Sequence, residues 1–440
     1  MSRDLSGRRV AVVGAGLAGL VAAREVNKRG AEAIVFDPRD RVGGRVWTLR
    51  DFDDGRQAEA GADLIEGDQK AVLDLARELG CEPVRILRGG FGFHADGDAG
   101  FSRGMHGWEK ISKRLRADVD AYCVSEQRWD TAIARSFARR SVADWAKEVG
   151  ATKDERRVLT GMRGFFLADP GELSLLMLVD QVASWGNPAD ARMWRLREGN
   201  EELPRRLAAR IRGRIRLRTT VLSMATLRAG VRLKVVGPRG RRDEVRADYA
   251  VVTAPASTLR DIVIQPALPA RQRDAIAHLP YGRATRVLAE FDRRFWRGPL
   301  TPRAFGTDAG TGALWDGNEQ QQGPGGILSF LAGGSASESL QRLVSQGGRA
   351  LVSELDWLGA RRRAPRTVRM IVWEADPWAR GGYAFFRAGF DPDLRSWLSR
   401  PHGRIVFAGE HTSIRGQGYM NGAVESGIRA AEEILRMPNA

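Results

Sequence analysis

Cysteine is nearly missing: Cys81 and Cys123 are the only two, and they form neither a CxxC pair nor a metal-like spacing. A disulfide framework and a cysteine-ligated zinc site are thereby excluded, and reduced thiols are expected. The five histidines, His94, His106, His278, His402 and His411, form no HExxH motif or ligand cluster, so no metal is predicted. No apolar run reaches the roughly 18 residues of a membrane span, and Leu173 to Val179 is about the longest. The chain enters its first apolar strand with no signal-peptide pattern ahead of it, which gives a cytoplasmic expectation. Lysine is scarce too, supplying seven of 70 basic residues. The net charge of +16 is therefore an arginine excess alongside abundant alanine and glycine, the mark of a compositional bias that needs no acidic partner. Its densest stretch, Arg210 to Arg218, alternates arginine with apolar residues and reads as a strand with one solvated face. No nucleic-acid motif or aromatic stacking pattern accompanies the charge, so nucleic acid is not an expected partner.

What the chain does have begins at residue 10. The apolar run Val10 to Val13 leads into Gly14-Ala15-Gly16-Leu17-Ala18-Gly19, then into a helical stretch from Leu20 to Val26. A second apolar run, Ala33 to Phe36, ends at Asp37. This is a dinucleotide-binding unit: Gly14 permits the turn, Gly16 lets backbone approach a pyrophosphate, and Gly19 lets the helix pack close. The helix N-terminus faces the phosphates, and an acid at Asp37 suits a free ribose 2′-hydroxyl.

The following segment, Asp37-Pro38-Arg39-Asp40-Arg41-Val42-Gly43-Gly44-Arg45-Val46-Trp47-Thr48, resembles the continuation of the nucleotide fold in FAD-containing amine oxidases. Gly44 permits close backbone approach, while Arg39 and Arg45 carry planar forks of donors for phosphate or flavin oxygens. Farther along, residues 69–79 read as a helix stopped at Gly80, and residues 89–107 as a Gly-rich break. Residues 108–198 are mostly helical and expected to cap a site. A hairpin pairs residues 231–236 with 244–250, strands with Gly-rich turns fill 276–394, and strand and helix return at the end.

Near the C-terminus, Ile405-Val406-Phe407-Ala408-Gly409-Glu410-His411-Thr412 precedes Gly416-Gln417-Gly418-Tyr419-Met420-Asn421-Gly422-Ala423 and a helix through Leu435. With the N-terminal segments, this resembles the flavin monoamine oxidase family, which includes polyamine oxidases, L-amino-acid oxidases and histone demethylases. The resemblance runs in order along nearly the whole chain. It implies an α/β fold: a Rossmann-like FAD-binding domain from discontinuous segments (1–90, 199–275, 395–440) and a mixed α+β substrate domain with a helical subregion (91–198, 276–394).

The resemblance also implies site residues. Glu410 would meet the ribityl or pyrophosphate region, and backbone at Met420 would approach the flavin ring at a helix N-terminus, where the dipole favours negative charge. Gly61 and Ala62, in Glu59-Ala60-Gly61-Ala62-Asp63-Leu64-Ile65-Glu66-Gly67, would pass beside the isoalloxazine, and Val221 would contact the cofactor. Trp373, in Trp373-Glu374-Ala375-Asp376-Pro377-Trp378, would approach the reactive face. Tyr383 and Tyr419 would sandwich the amine. Gly382 stands where animal monoamine oxidases carry a flavin-linking cysteine, so noncovalent FAD is expected. Leu64 stands where amino-acid oxidases often place an arginine for the substrate carboxylate. Glu66 would meet a second cationic centre or lie in solvent.

One position departs from the family. Within Pro280-Tyr281-Gly282-Arg283-Ala284-Thr285-Arg286-Val287-Leu288, Arg286 replaces the lysine that holds a water at flavin N5, and no lysine follows Lys234. Arginine presents a wide fork instead of a point charge. Either Arg286 holds an equivalent water or the electrons pass to another acceptor. The leading expectation is an FAD-dependent oxidoreductase that takes a hydride from the carbon beside a primary or secondary amine, with imine hydrolysis and reoxidation by oxygen to hydrogen peroxide. A desaturase-like or protoporphyrinogen-oxidase-like enzyme on a large apolar substrate is the first alternative, and an FAD-bound scaffold for nucleic acid or protein the second. Whether the chain forms a homo-oligomer is left open.

Overall fold

The computed structural model describes residues 4–104, 106–122, 129–184 and 192–437. Cys123 lies outside the described residues. Cys81 is buried with a free thiol.

Five short strands drawn from three distant parts of the chain form one parallel sheet: β1 (Arg9–Val13), β2 (Glu32–Phe36), β3 (Gly213–Arg216), β4 (Tyr249–Val252) and β5 (Ile405–Phe407). Their spatial order is β3-β2-β1-β4-β5, that of a doubly wound nucleotide fold. The central strands are apolar at almost every position because both faces are covered, one by helices and the other by an antiparallel ribbon of strands. On one face lie α1 (Leu17–Lys28) and α2 (Met420–Arg436). They touch at backbone distance, since a side chain at Gly427 would meet the Ala18 carbonyl at 2.6 Å.

Beside this sheet, the strands Arg242–Ala247, Gly230–Val236 and Thr220–Leu227 form an antiparallel ribbon, and Val263–Gln265 adds in parallel. A larger sheet of seven strands runs in the order Thr367–Val372, Ala284–Phe291, Gly326–Gly333, Ala313–Asp316, Ala304–Thr307, Phe91–His94, Ser102–Arg103. Its strand Ala284–Phe291 is buried throughout, flanked by partners on both edges, and sets Arg286 opposite Leu331 and Ile371. Six helices between His106 and Ser184 gather on a core that includes Phe137, Trp145, Phe166, Leu175 and Phe386.

Three local expectations are corrected. The arginine-rich stretch is not one strand: Arg210 ends the helix Glu202–Ala209, and only Gly213–Arg216 pairs, as the sheet edge. There Arg216 lies over Phe36 and bonds Asp243 at 2.8 Å, while Arg210, Arg212, Arg214 and Arg218 face solvent as expected. The Gly-rich break holds the paired strands Phe91–His94 and Ser102–Arg103, whose glycines fit a crowded edge: a side chain at Gly92 would strike Phe305 at 3.0 Å. The hairpin's second run is two strands, Arg242–Ala247 and β4, which join different sheets on either side of Asp248.

Candidate active site

The parallel sheet and the seven-stranded sheet enclose a cavity of about 910 Å³ between them. It lies at the upper end of the roughly 300–1,000 Å³ range of small-molecule sites. At one end, Gly14, Gly16, Asp37, Arg39, Gly44, Arg45 and Val221 line it; Gly61, Ala62, Arg286, Trp373, Tyr383, Glu410, Tyr419 and Met420 line it farther along.

The turn after β1 is built as its glycines require. Gly14 takes φ +110°, and a side chain there would meet the Thr253 hydroxyl at 2.4 Å. Gly19 is absent from the cavity wall: a side chain there would meet the Gly14 carbonyl at 2.0 Å, so only glycine lets the helix pack this close. Gly16 differs from both, since a side chain there would meet nothing within 4 Å and would project into the cavity mouth. Asp37 is buried; its Oδ2 accepts from Ala15 N at 2.8 Å and its Oδ1 from Arg39 N at 2.9 Å. Burial pushes its pKa up against those two bonds. Each oxygen keeps a lone pair for a further donor.

Arg39 is committed to protein. Its two terminal nitrogens bind both oxygens of Asp376, each at 2.9 Å. Arg45 donates to the Gly382 carbonyl at 2.7 Å and to Glu410 Oε1 at 2.9 Å, while Glu410 Oε2 accepts from Gly418 N at 2.8 Å. Burial opposes the Arg45 charge, but Glu410 and Tyr281 together outweigh it and hold the guanidinium pKa above its usual value. This pair joins the first and last parts of the chain under the cavity. Gly382 has no room for a side chain, which would lie 2.4 Å from Leu167 and 2.8 Å from Ala284.

Both α1 and α2 begin without a side-chain cap, at Gly16 and Tyr419, and both starts line the cavity. Their leading N–H groups and positive dipole ends thus converge on one space. An elongated anionic cofactor answers that demand, as a dinucleotide would. The residues present fit FAD.

Arg286 is held by its two terminal nitrogens, while its buried Nε–H has no partner among the described residues. It donates to Ser329 Oγ at 2.9 Å and to the Gly61 carbonyl at 3.0 Å, and it lies 4.7 Å over the Trp315 ring. Burial lowers its pKa, and Asp63, at 3.8 Å, counters that. Asp63 is itself bound by Arg195 at 2.6 Å and by the Trp315 indole N–H at 2.7 Å. Sequence reading did not find Asp63, Arg195 or Trp315, which meet from 132 and 252 residues apart. The Trp373 indole donates to the Ala60 carbonyl at 3.1 Å and so fixes the same turn.

Tyr383 packs beside Gly418, next to Tyr419, and its hydroxyl donates to the Phe165 carbonyl. Phe165 stands 6.5 Å from the Tyr419 ring. Beyond the tyrosines the wall is apolar, with Phe93, Trp108, Met162, Phe165, Met177 and Phe305. Glu66 and Asp68 line the same space. Burial, then Asp68, raise the Glu66 pKa to about 7.

Comparison with known proteins agrees with this geometry. Residues 17–435 match the family described as "Flavin containing amine oxidoreductase". The protein "Putative flavin-containing monoamine oxidase AofH" of Mycobacterium tuberculosis is 30% identical over 458 residues, covering 97% of this chain and 96% of its own. An L-amino acid dehydrogenase of Synechocystis is 25% identical, covering 96% and 94%. Among solved structures, cyclohexylamine oxidase from Brevibacterium oxydans IH-35A superposes with TM-score 0.85 at 23% identity, covering 97% and 98%. The chain belongs to the flavin-containing amine oxidoreductase family and is a flavin-dependent oxidoreductase. No helix among the described residues is long and apolar enough to cross a membrane.

Proposed function

We propose that this protein binds FAD noncovalently and oxidises a primary or secondary amine carrying an apolar substituent. The observation that carries the reading is the continuity of one cavity, whose wall takes in two uncapped helix starts, Tyr383, Tyr419 and a group of apolar side chains. Segments 1–90, 199–275 and 395–440 hold the cofactor in this reading, and 91–198 with 276–394 shape the substrate space.

Gly14, Gly16 and α1 receive the pyrophosphate, Asp37 the adenosine ribose, and Val221 lies along the adenosine end. Gly44 and Arg45 flank the phosphates, with Glu410 fixing Arg45. Arg39 keeps the Asp37 turn in place through Asp376. Gly61, Ala62 and Met420 border the ring. Bound flavin would supply the hydride acceptor and the route of electrons to oxygen, with hydrogen peroxide as the product. Tyr383 and Tyr419 orient the amine nitrogen between their faces. Trp373 and Arg286 hold the Gly61 turn against the ring through the Ala60 and Gly61 carbonyls. The apolar wall excludes water until the imine leaves to hydrolyse. Among the described residues, the arginines of the cavity wall, Arg39, Arg45 and Arg286, are each already bonded to protein through their terminal nitrogens, which disfavours an α-carboxylate.

Acid release of the cofactor followed by chromatography, with a peroxide assay across monoamines, diamines and amino acids, tests the reading. Free FAD in the supernatant and peroxide from apolar monoamines are expected. Flavin retained on the polypeptide, or peroxide from amino acids alone, would overturn it.

A further inference from the structure

The carboxylates along the cavity differ in one respect: what already holds them. Asp37 accepts two backbone N–H groups, Asp63 is bound by Arg195 and Trp315, Asp261 pairs with Arg380, and Glu410 pairs with Arg45. Among the described residues, no cation lies against Glu66. It ends the short strand Ile65–Glu66, and its neighbour in the adjoining strand is Met193, while Arg195 of that strand turns to Asp63. Beside Glu66 is Tyr419, whose buried hydroxyl is directed at the Glu66 carboxyl. The charged or titratable groups facing this pair are Asp68 on the same turn and Tyr383 beside Tyr419.

We propose that Glu66 takes the proton that a substrate ammonium must lose before its hydride can leave, with the Tyr419 hydroxyl aligning the nitrogen and the carboxyl. The inference rests on the amine reading above. A simple alkylamine arrives protonated, as lysine's value of about 10.4 illustrates. Hydride loss from its α-carbon needs the nitrogen lone pair to form the C=N bond, so the N–H proton must go first. In an apolar chamber both separated charges are penalised, and the transfer removes them together. One N–H bond of R–CH2–NH3+ breaks and one O–H bond forms on Glu66, leaving R–CH2–NH2 and a neutral carboxyl with no change in oxidation state. The raised pKa of Glu66, about 7, makes it a better acceptor than an ordinary carboxylate.

The test is the rate of anaerobic flavin bleaching in the holoprotein at saturating benzylamine, cyclohexylamine or putrescine, followed against pH. Wild type is expected to fall in acid, where Glu66 is already protonated, with a midpoint below the ligand-free value of about 7 because the bound ammonium favours the carboxylate, and to run level above it. Glu66→Gln must release the proton to solvent, so its rate should climb about tenfold per pH unit across that level range. Asp68→Asn should move the wild-type midpoint to lower pH by removing a neighbouring negative charge. A level Glu66→Gln profile equal to wild type would overturn the proposal while leaving amine oxidation standing. Failure of all three amines to bleach the flavin overturns the amine reading itself. Should Glu66→Gln lose its flavin, Asp68→Asn decides alone, and an unmoved midpoint refutes the proposal.

Discussion

Arg286 donates to the carbonyl of Gly61 at 3.0 Å and so ties a buried strand of the seven-stranded sheet to the turn beside the flavin space. The arginine is held at two further points, Ser329 and the Trp315 ring, so its fork is spent on protein. Replacing it by methionine strands a buried carbonyl and hydroxyl. Arg286→Met is expected to lower stability by about 2–3 kcal/mol and to slow flavin bleaching, as measured by urea unfolding and stopped-flow absorbance. Unchanged values in both would remove Arg286 from the positioning of the Gly61 turn.

The two glycines of the first turn should fail differently. Gly16→Val projects into open cavity, so the protein should fold with its stability intact but purify without flavin, read from the flavin-to-protein absorbance ratio. Gly19→Ala drives a methyl into the Gly14 carbonyl and should cost about 1–3 kcal/mol by overpacking. Equal flavin loss and equal destabilisation in both variants would contradict this division of roles.

The tyrosine pair should act through its faces. Tyr419→Ala is expected to weaken amine binding about 5- to 30-fold, from a cation–π contribution of about 1–2 kcal/mol. Tyr419→Phe should keep the affinity. Anaerobic titration of the flavin spectrum measures both, and equal weakening by the two variants would show that the hydroxyl, not the ring, binds the amine.

His411 gives a pH signature. Burial lowers its pKa from 6.5 to about 4, with Glu410 only partly compensating. Between those values the unfolded chain binds a proton that the folded protein refuses, so stability rises with pH. The contribution is complete above 6.5 and is lost as pH falls toward 4. Acidification from about pH 7.5 to about pH 5 should therefore cost wild type about 2 kcal/mol more than His411→Gln. Parallel losses in urea unfolding of the two proteins would contradict a neutral buried imidazole.

Legibility in the sequence followed the range of the interaction. The turn at Gly14 to Gly19, the acid at Asp37 and the strand before Glu410 were readable because their physics is local: backbone angles, helix starts and apolar runs. The Rossmann-like character of the parallel sheet, assembled from discontinuous segments, came with the family resemblance. The charge network was not readable. Nothing near Asp63 signals that Arg195 and Trp315 close on it, and Arg39 looks like a phosphate ligand until Asp376 arrives from 337 residues away. The arginine run misled for the same reason, since its alternation is a local pattern while the end of the helix Glu202–Ala209 is fixed by packing of Leu203 and Leu207.

The most direct measurement is the visible spectrum of the purified protein, mixed anaerobically with apolar monoamines and then opened to air. The account predicts a bound flavin whose band bleaches with an apolar monoamine and returns in air as peroxide forms. A bound flavin that no amine reduces would contradict it.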